Sequence, residues 1–580
     1  MSGMASDHLS GGFQNKELEE QGAIKADKVR LSRQDYIQRA AVLLAVLFLF
    51  VALILPLGTM PIKSLQNAEG DFIGLANFAS YISNPALFQS VLNSLQIALI
   101  STGVVLTLAF LFAYGLTRTC MPGKKTLRAL TLLPLFAPSL LPAISLIYLL
   151  GNQGIFKEVL MGASVYGPIG IVIGMCFWVF PHVLMIMVTA LSNSDARLYE
   201  AAQVMKASPL RTFFTVTLPS AKYGLISAGF VAFTLVITDF GVPKVIGGDF
   251  KVLATDIYKQ VVGQQNFQMG AVVSVILLLP AVFSFAADRL VQKKQVAMLS
   301  ARAVPYIPKP NPVKDNLFLA ICLLVVSAIL LVIGTAAYAS FVSFWPYNME
   351  LSLQHYDFES VGSSWDYYFN SIEMAVWVAL IGTGIVFFNA YLVEKGRAFE
   401  PVRNLLHLMA MIPMAVPGMV LGLAYIFFFN QPDNPLNFIY ATMAILVLNS
   451  VVHFYTVCHL TSVTALKQID GEFESVSASL KIPFYVTFWR ITLPVSLPAV
   501  LEISVYLFVN AMTTVSAVIF IYSSDTMLAS ISVLNMDEAG NTASAAGMGV
   551  LILLTCLTVK GLHWLLSQQI LGLTQGWRNR

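Results

Sequence analysis

The chain alternates long apolar runs with short polar ones. Twelve runs, at roughly 40–60, 92–117, 127–150, 168–191, 221–243, 269–287, 317–340, 371–393, 404–429, 439–463, 496–521 and 547–567, approach or exceed the length a helix needs to cross a bilayer. The pattern predicts an all-α integral membrane protein of twelve transmembrane helices. A polar tail, residues 1–39, precedes the first run and carries Gly, Ser and mixed charge. No small-residue cleavage site follows that run, so it reads as a retained span and the tail as poorly ordered.

Two of the polar stretches match each other. Glu200 to Pro219 reads EAAQVMKASPLRTFFTVTLP, and Ser475 to Pro494 reads SVSASLKIPFYVTFWRITLP. Leu218 and Leu493 are 275 residues apart, and the same offset pairs Ala190-Leu191 with Ala465-Leu466, Asp195 with Asp470, Lys206 with Lys481 and Leu253-Ala254 with Leu528-Ala529. Asn93-Ser94 likewise parallels Asn370-Ser371, Ala113-Tyr114 parallels Ala390-Tyr391, and Pro134 and Pro138 parallel Pro413 and Pro417. The chain therefore reads as a tandem duplication. A first half over 40–287 and a second over 317–580 are joined by a polar linker, 288–316, that holds Pro305, Pro308, Pro310 and Pro312. An even number of spans separates equivalent points, so the halves are parallel repeats about an axis along the membrane normal.

Charge sets the orientation. With the N-terminus inside, the inner loops carry Arg118, Lys124, Lys125, Arg128, Arg197, Lys206, Arg211, Lys222, Lys395, Arg397, Arg403, Lys467, Lys481 and Arg490, and the linker adds six more cations. The second half's outer loops, near 341–369, 430–438 and 522–546, hold no Lys or Arg. By the positive-inside rule both inserts and both chain ends are expected in the cytoplasm. Hydrophobic residues make up 57% and charged residues 11%, with a mean hydropathy of +0.74, against about a quarter charged in soluble domains. A net charge of +3 gives no encouragement to a nucleic-acid partner. The five cysteines lack metal or redox spacing and read as small packed hydrophobes.

The first insert resembles the EAA loop of the permease subunits of bacterial ATP-binding-cassette importers. Glu200, Ala201, Ala202, Phe213, Val216, Leu218 and Pro219 fit that pattern, while Lys206 stands at its Gly position. The second insert is degenerate: Ser475 replaces Glu, Val476 and Ser477 replace Ala, Lys481 replaces Gly, and Glu474 stands one residue early. The resemblance covers roughly 40–570 and implies two fused six-helix halves of a type I importer permease. It also implies that each insert folds as two short helices, one docking on a cytoplasmic ATPase. Met205, Leu210 and Phe213 would then be apolar anchors, and Phe488, Leu493 and Pro494 stand in the second insert where Phe213, Leu218 and Pro219 stand in the first. Glu200 and Arg211 would set register more than affinity. A Lys at the Gly position would turn differently or carry strain.

No GxxxxGK[ST] motif occurs, so no phosphate-cradling loop is expected. The chain is expected to be a non-enzymatic subunit with no cofactor or metal of its own. ATP and Mg2+ would sit on a partner ATPase dimer, and a periplasmic or extracellular solute-binding protein would deliver substrate. The fused arrangement resembles the ferric-iron, 2-aminoethylphosphonate and thiamine branches, and residues 237–274 look most like the 2-aminoethylphosphonate type. Ferric iron is the second expectation. An ion-coupled secondary transporter is the alternative of another class, disfavoured because no paired intramembrane carboxylates occur.

Candidate path residues cluster where polar groups interrupt spans. Thr238 and Asp239, with Gly241 and Pro243, break the outer end of the fifth span. Such a break is tolerated only where protein or a wet cavity satisfies the backbone. Asp239 reads either as a pathway carboxylate or as an interfacial residue at the span end, hydrated or helix-capping. Thr513, Thr514 and Ser516 fall at aligned positions in the second half. Glu373 reads as a gate residue or an interfacial one, and Glu502 as a snorkelling one. Asn510 reads as interhelical glue. His453 and His459 lack spaced metal-binding partners, and Trp178, Trp377 and Trp489 read as belt or packing residues. Pro134, Pro138 and Pro142, and Pro413 and Pro417, are expected to kink the third and ninth spans.

Overall fold

The computed structural model describes residues 33–298, 304, 306–396 and 399–574. The tail over 1–32 and part of the linker lie outside the described residues. Among the described residues eight helices are long and apolar enough to cross a membrane, and four bent helix pairs bring the spans to twelve when each pair counts once. The one sheet among the described residues is a hairpin after the seventh span, in which β1 (Val342–Phe344) pairs antiparallel with β2 (Asn348–Leu351).

The third and ninth spans are broken, which corrects the expectation of kinks. Lys124–Phe136 meets Leu140–Leu150 at 103°, and Glu400–Ala415 meets Gly418–Phe429 at 113°. Proline disfavours helical geometry in the residue before it. Ala137, before Pro138, sits at φ −99°, ψ 142°, and Val416, before Pro417, at φ −103°, ψ 116°. Pro134 and Pro413 also fall inside 3-10 turns just before these points, so two prolines within five residues undo a whole turn.

The fifth and eleventh spans begin alike. A π turn, Phe213–Thr217 or Phe488–Thr492, precedes a helix that starts at Leu218 or Leu493. Pro219 and Pro494 lack the N–H that would continue an α ladder, and the wider turn absorbs the gap.

Within the first half the second, fourth, fifth and sixth spans form the packed centre. Gly224 lets the fifth span approach the fourth: a Cβ there would lie 2.2 Å from that of Ala190. The first span of each half reaches across to the other half. Arg33–Ser64 packs across the two pieces of the ninth span, where the buried Tyr425 hydroxyl donates to the Ala52 carbonyl at 2.7 Å. Reciprocally, Pro312–Ala339 packs on the third and second spans of the first half.

Candidate functional site

Each insert folds as two short helices. Asp195 caps Ala196–Val204 by accepting from Arg197 N at 3.1 Å, and Ser208 caps Pro209–Thr212. Glu472–Ser479 and Phe484–Thr487 are the second insert's counterparts. The degenerate copy keeps the fold because its substitutions respect burial. Ala202 and Ser477 are both small and buried, while Glu200 and Ser475 are both exposed.

Lys206 and Lys481 close the first helix of each insert at φ 51° and 56°, so they turn as a glycine would. Ala207 N donates to Ala202 O at 3.0 Å, and Ile482 N to Ser477 O at 2.8 Å. These bonds satisfy helix-end carbonyls and hold lysine in a left-handed geometry that disfavours a side chain by about 1–2 kcal/mol. The expectation of strain holds, and that of a different turn does not.

The apolar positions of the inserts divide into two sets. Leu198 and Phe473, Met205 and Leu480, Leu210 and Tyr485, and Phe214 and Trp489 all recur at 275 residues, and each is at least 45% exposed. Phe213 and Phe488 face inward. Phe213 lies 5.8 Å from the Phe110 ring and 6.3 Å from Tyr114, and Phe488 lies 5.3 Å from Phe388 and 4.9 Å from Tyr391. Phe213 is thus a packing residue, and Phe214 is the exposed ring that sequence reasoning missed. Arg211, Pro219 and Pro494 are exposed, Ala201 is exposed, and Leu218 and Leu493 are half-buried.

At the opposite face the broken spans meet the loops that follow the fifth and eleventh. Asp239 Oδ2 accepts from Val242 N at 3.0 Å, and Ser139, at the break of the third span, also bonds this carboxylate. Asp239 therefore caps the short helix Gly241–Ile246, in line with the second of its two readings. Gly241 faces Ser139, since a Cβ there would lie 2.2 Å from Ser139 Oγ. In the second half the partners are exchanged: Gly418 stands at the break, and a Cβ there would lie 2.7 Å from Ser516 Oγ.

The repeated Asn-Ser pairs hold the same loops. Asn93 Nδ2 donates to Lys251 O at 2.9 Å, and Ser94 Oγ accepts from Leu253 N at 2.8 Å. Asn370 Nδ2 donates to Asp525 O and Met527 O at 3.0 and 3.1 Å, and Ser371 Oγ accepts from Ala529 N at 2.8 Å. The matched dipeptides of the two halves thus meet their matched loops in space.

Other candidates stand apart. The Thr238 and Thr513 hydroxyls donate to carbonyls of their own helices, while Thr514 O accepts from Ser530 Oγ at 2.6 Å. Asn510 Nδ2 bonds Tyr506 O within its own helix, which corrects the interhelical expectation. Glu373 is exposed and lines an apolar lateral groove with Phe48 and Met443, away from Asp239. Glu502 pairs with Lys560 of the twelfth span at 2.9 Å. His459, which has no spaced partner in sequence, bonds His407 at 3.1 Å.

Two groups that the sequence did not single out join the halves on this face. Lys244 Nζ lies 2.6 Å from Glu538 Oε1, an ion pair between the halves. Lys244 also sits 4.6 Å from the Tyr258 ring, which stacks on Phe520 of the second half at 6.5 Å. Burial pushes the neighbouring Asp537 carboxyl up to about 6, opposed by a hydrogen bond from Thr542. The only sequence signal was one Lys and one Glu in opposed loops.

Two matched halves, two exposed inserts and two bracketed loops fit one known architecture. The model of the binding-protein-dependent transport system inner membrane component family matches residues 106–296 and again 396–572. The chain belongs to that family. This permease is similar to the ferric transport system permease protein FbpB of Actinobacillus pleuropneumoniae, 25% identical over 92% of this chain and 78% of the relative. It is also similar to the putative ferric transport system permease protein FbpB 1 of Haemophilus influenzae, 26% identical over 86% and 80%. The spermidine/putrescine transport system permease protein PotB of Escherichia coli is 26% identical over 43% of this permease and 95% of its own length. The chain is thus a multi-pass inner-membrane permease of the binding-protein-dependent importer type. The resemblance to the ferric branch stands, whereas the 2-aminoethylphosphonate substrate gains no support from these relatives.

Proposed function

We propose that this permease carries ferric iron across the membrane by alternating access, driven by two copies of a separate ATPase that hold ATP and Mg2+. The carrying observation is the doubled apolar surface: four exposed positions on each insert, repeated at one spacing, offer two equivalent docking faces. The charge distribution supports placing that face, the linker 288–316 and both chain ends in the cytoplasm. A solute-binding protein would dock opposite, where Lys244 and Glu538 bridge the halves of 40–287 and 317–580. The junctions at Thr238, Asp239, Thr513, Thr514 and Ser516 would then be the gate that rocking opens. The ferric reading is supported by two relatives that match across both halves and carry that name.

The test is uptake of radiolabelled ferric iron by a deletion strain with and without the restored gene. Loss and recovery of uptake is the expected result. Unchanged iron uptake together with lost 2-aminoethylphosphonate uptake would overturn the substrate. For docking, Met205→Glu combined with Leu480→Glu should abolish co-purification of the ATPase, and retained co-purification would refute the docking faces.

A further inference from the structure

We propose that Arg118 and Lys395 are the positioning residues of energy coupling: each pins one insert helix, from its buried side, to the end of the second span of its half. The proposal rests on reading the inserts as ATPase docking loops.

Arg118 ends the helix Pro85–Arg118, and Lys395 follows the last helical residue of Trp365–Glu394. They are equivalent by the same offset that relates Ala113-Tyr114 to Ala390-Tyr391. Both donate to carbonyls where the preceding long span runs out. Arg118 Nη2 bonds Leu191 O at 2.7 Å, and Lys395 Nζ bonds Ile469 O at 2.8 Å. A cation is favoured at such a helix C-terminus.

Both then reach one position of the insert helix. Tyr199 and Glu474 are 275 residues apart. The Arg118 guanidinium lies 5.0 Å from the Tyr199 ring, and Lys395 Nζ lies 3.4 Å from Glu474 Oε2. The chemistries differ as the two cations differ. A planar guanidinium stacks on an aromatic face, whereas an ammonium takes a carboxylate. This accounts for the acidic residue that stands one place early in the second insert: it matches the pin position, not the Glu of the motif.

The linker completes the first pin. The Tyr306 ring lies 4.5 Å from that of Tyr199, tilted at 46°, and 4.7 Å from the Arg118 guanidinium. Val304 O accepts from Ala196 N at 2.9 Å, and Lys309 Nζ donates to Gln203 Oε1 at 3.4 Å. Lys314 Nζ returns to Arg118 O at 2.9 Å, just as the chain enters the seventh span. The first insert is therefore tied to the second half as well as to its own. The Arg118, Tyr199, Lys395 and Glu474 side chains are buried or partly buried, apart from the exposed apolar set, so they can transmit a push without forming the docking surface.

The test uses the permease–ATPase complex in proteoliposomes, reading iron uptake per ATP hydrolysed. Lys395→Met and Glu474→Gln should keep the ATPase bound yet lower that ratio about tenfold, the scale of coupling changes by distant residues. The exchange Lys395→Glu with Glu474→Lys should recover part of it, and Tyr306→Ala should impair the first insert alike. A cargo-independent readout is thiol labelling of a Thr514→Cys variant on the opposite face. Its dependence on ATP should vanish in the pin variants while hydrolysis continues. Normal coupling in the single variants, an exchange no better than either single, or loss of the ATPase itself would overturn the pins. A wild-type chain that retains no ATPase would instead overturn the docking reading.

Discussion

The exchanged Ser–Gly contacts make a sharp test of the duplication. In the first half Ser139 faces Gly241, and in the second Gly418 faces Ser516. Gly241→Ala would place a Cβ 2.2 Å from Ser139 Oγ and 3.3 Å from Leu140 N. The hydroxyl has little room to retreat, because it also bonds Asp239. Overpacking of this kind is destabilising by roughly 1–3 kcal/mol. With the Asp239 bond weakened as well, we expect about 2–3 kcal/mol, or roughly thirty- to 150-fold in the folding equilibrium constant. The double variant Ser139→Gly with Gly241→Ser recreates the second half's arrangement. It should return to within about 1 kcal/mol of wild type, whereas Gly241→Ser alone should cost at least as much as Gly241→Ala, a coupling energy of about 2 kcal/mol between the sites. Equilibrium unfolding in mixed micelles measures the stabilities, and iron uptake shows whether the junction still works. A wild-type Gly241→Ala protein, or a double variant as unstable as the sum of the singles, would refute the reciprocal fit.

Lys206→Gly and Lys481→Gly should each raise stability by up to about 1 kcal/mol in the same assay, by removing the left-handed penalty; destabilisation would mean the lysine side chains earn their place. Glu538→Gln should weaken the contact between halves by about 1 kcal/mol, because the pair is only partly buried, and so speed labelling of Thr514→Cys about fivefold. An unchanged labelling rate would remove Lys244 and Glu538 from the gate. Asp537→Asn should stabilise the protein at pH 7.5 and have little effect below pH 4. Burial raises this carboxyl from its ordinary value to about 6, so the folded state binds the proton more tightly, and stability falls as pH rises from about 4 to 6. A pH–melting profile identical to wild type would contradict that burial.

The duplication, the spans and the insert helices were legible because they rest on local signals: apolar run length, repeated dipeptides and a Leu-Pro boundary. Lys206 and Lys481 were legible as strained turns, but not in direction, because capping bonds from Ala207 and Ile482 decide the geometry. Phe213 was misread because a π turn shifts which ring faces out. Lys244, Glu538 and the Arg118 pin were invisible because their partners lie far along the chain, and sequence spacing carries no information about such meetings. Asn510 was misassigned since a helix carbonyl one turn back is always within its reach.

The exchanged first spans impose a schedule on synthesis. Ala52 receives its hydrogen bond from Tyr425, 373 residues later. At about 5–20 residues per second, that partner is made roughly 20–75 seconds after the first span. The first span satisfies its own backbone as a helix, so the bilayer can hold it while it waits. The seventh span waits for less, since the third and second spans it packs on are already in place and only its contact with the twelfth comes later. The first half is thus begun first but closed only when the ninth span arrives, and a ribosome that stalls before the ninth span leaves behind an open half rather than a working one.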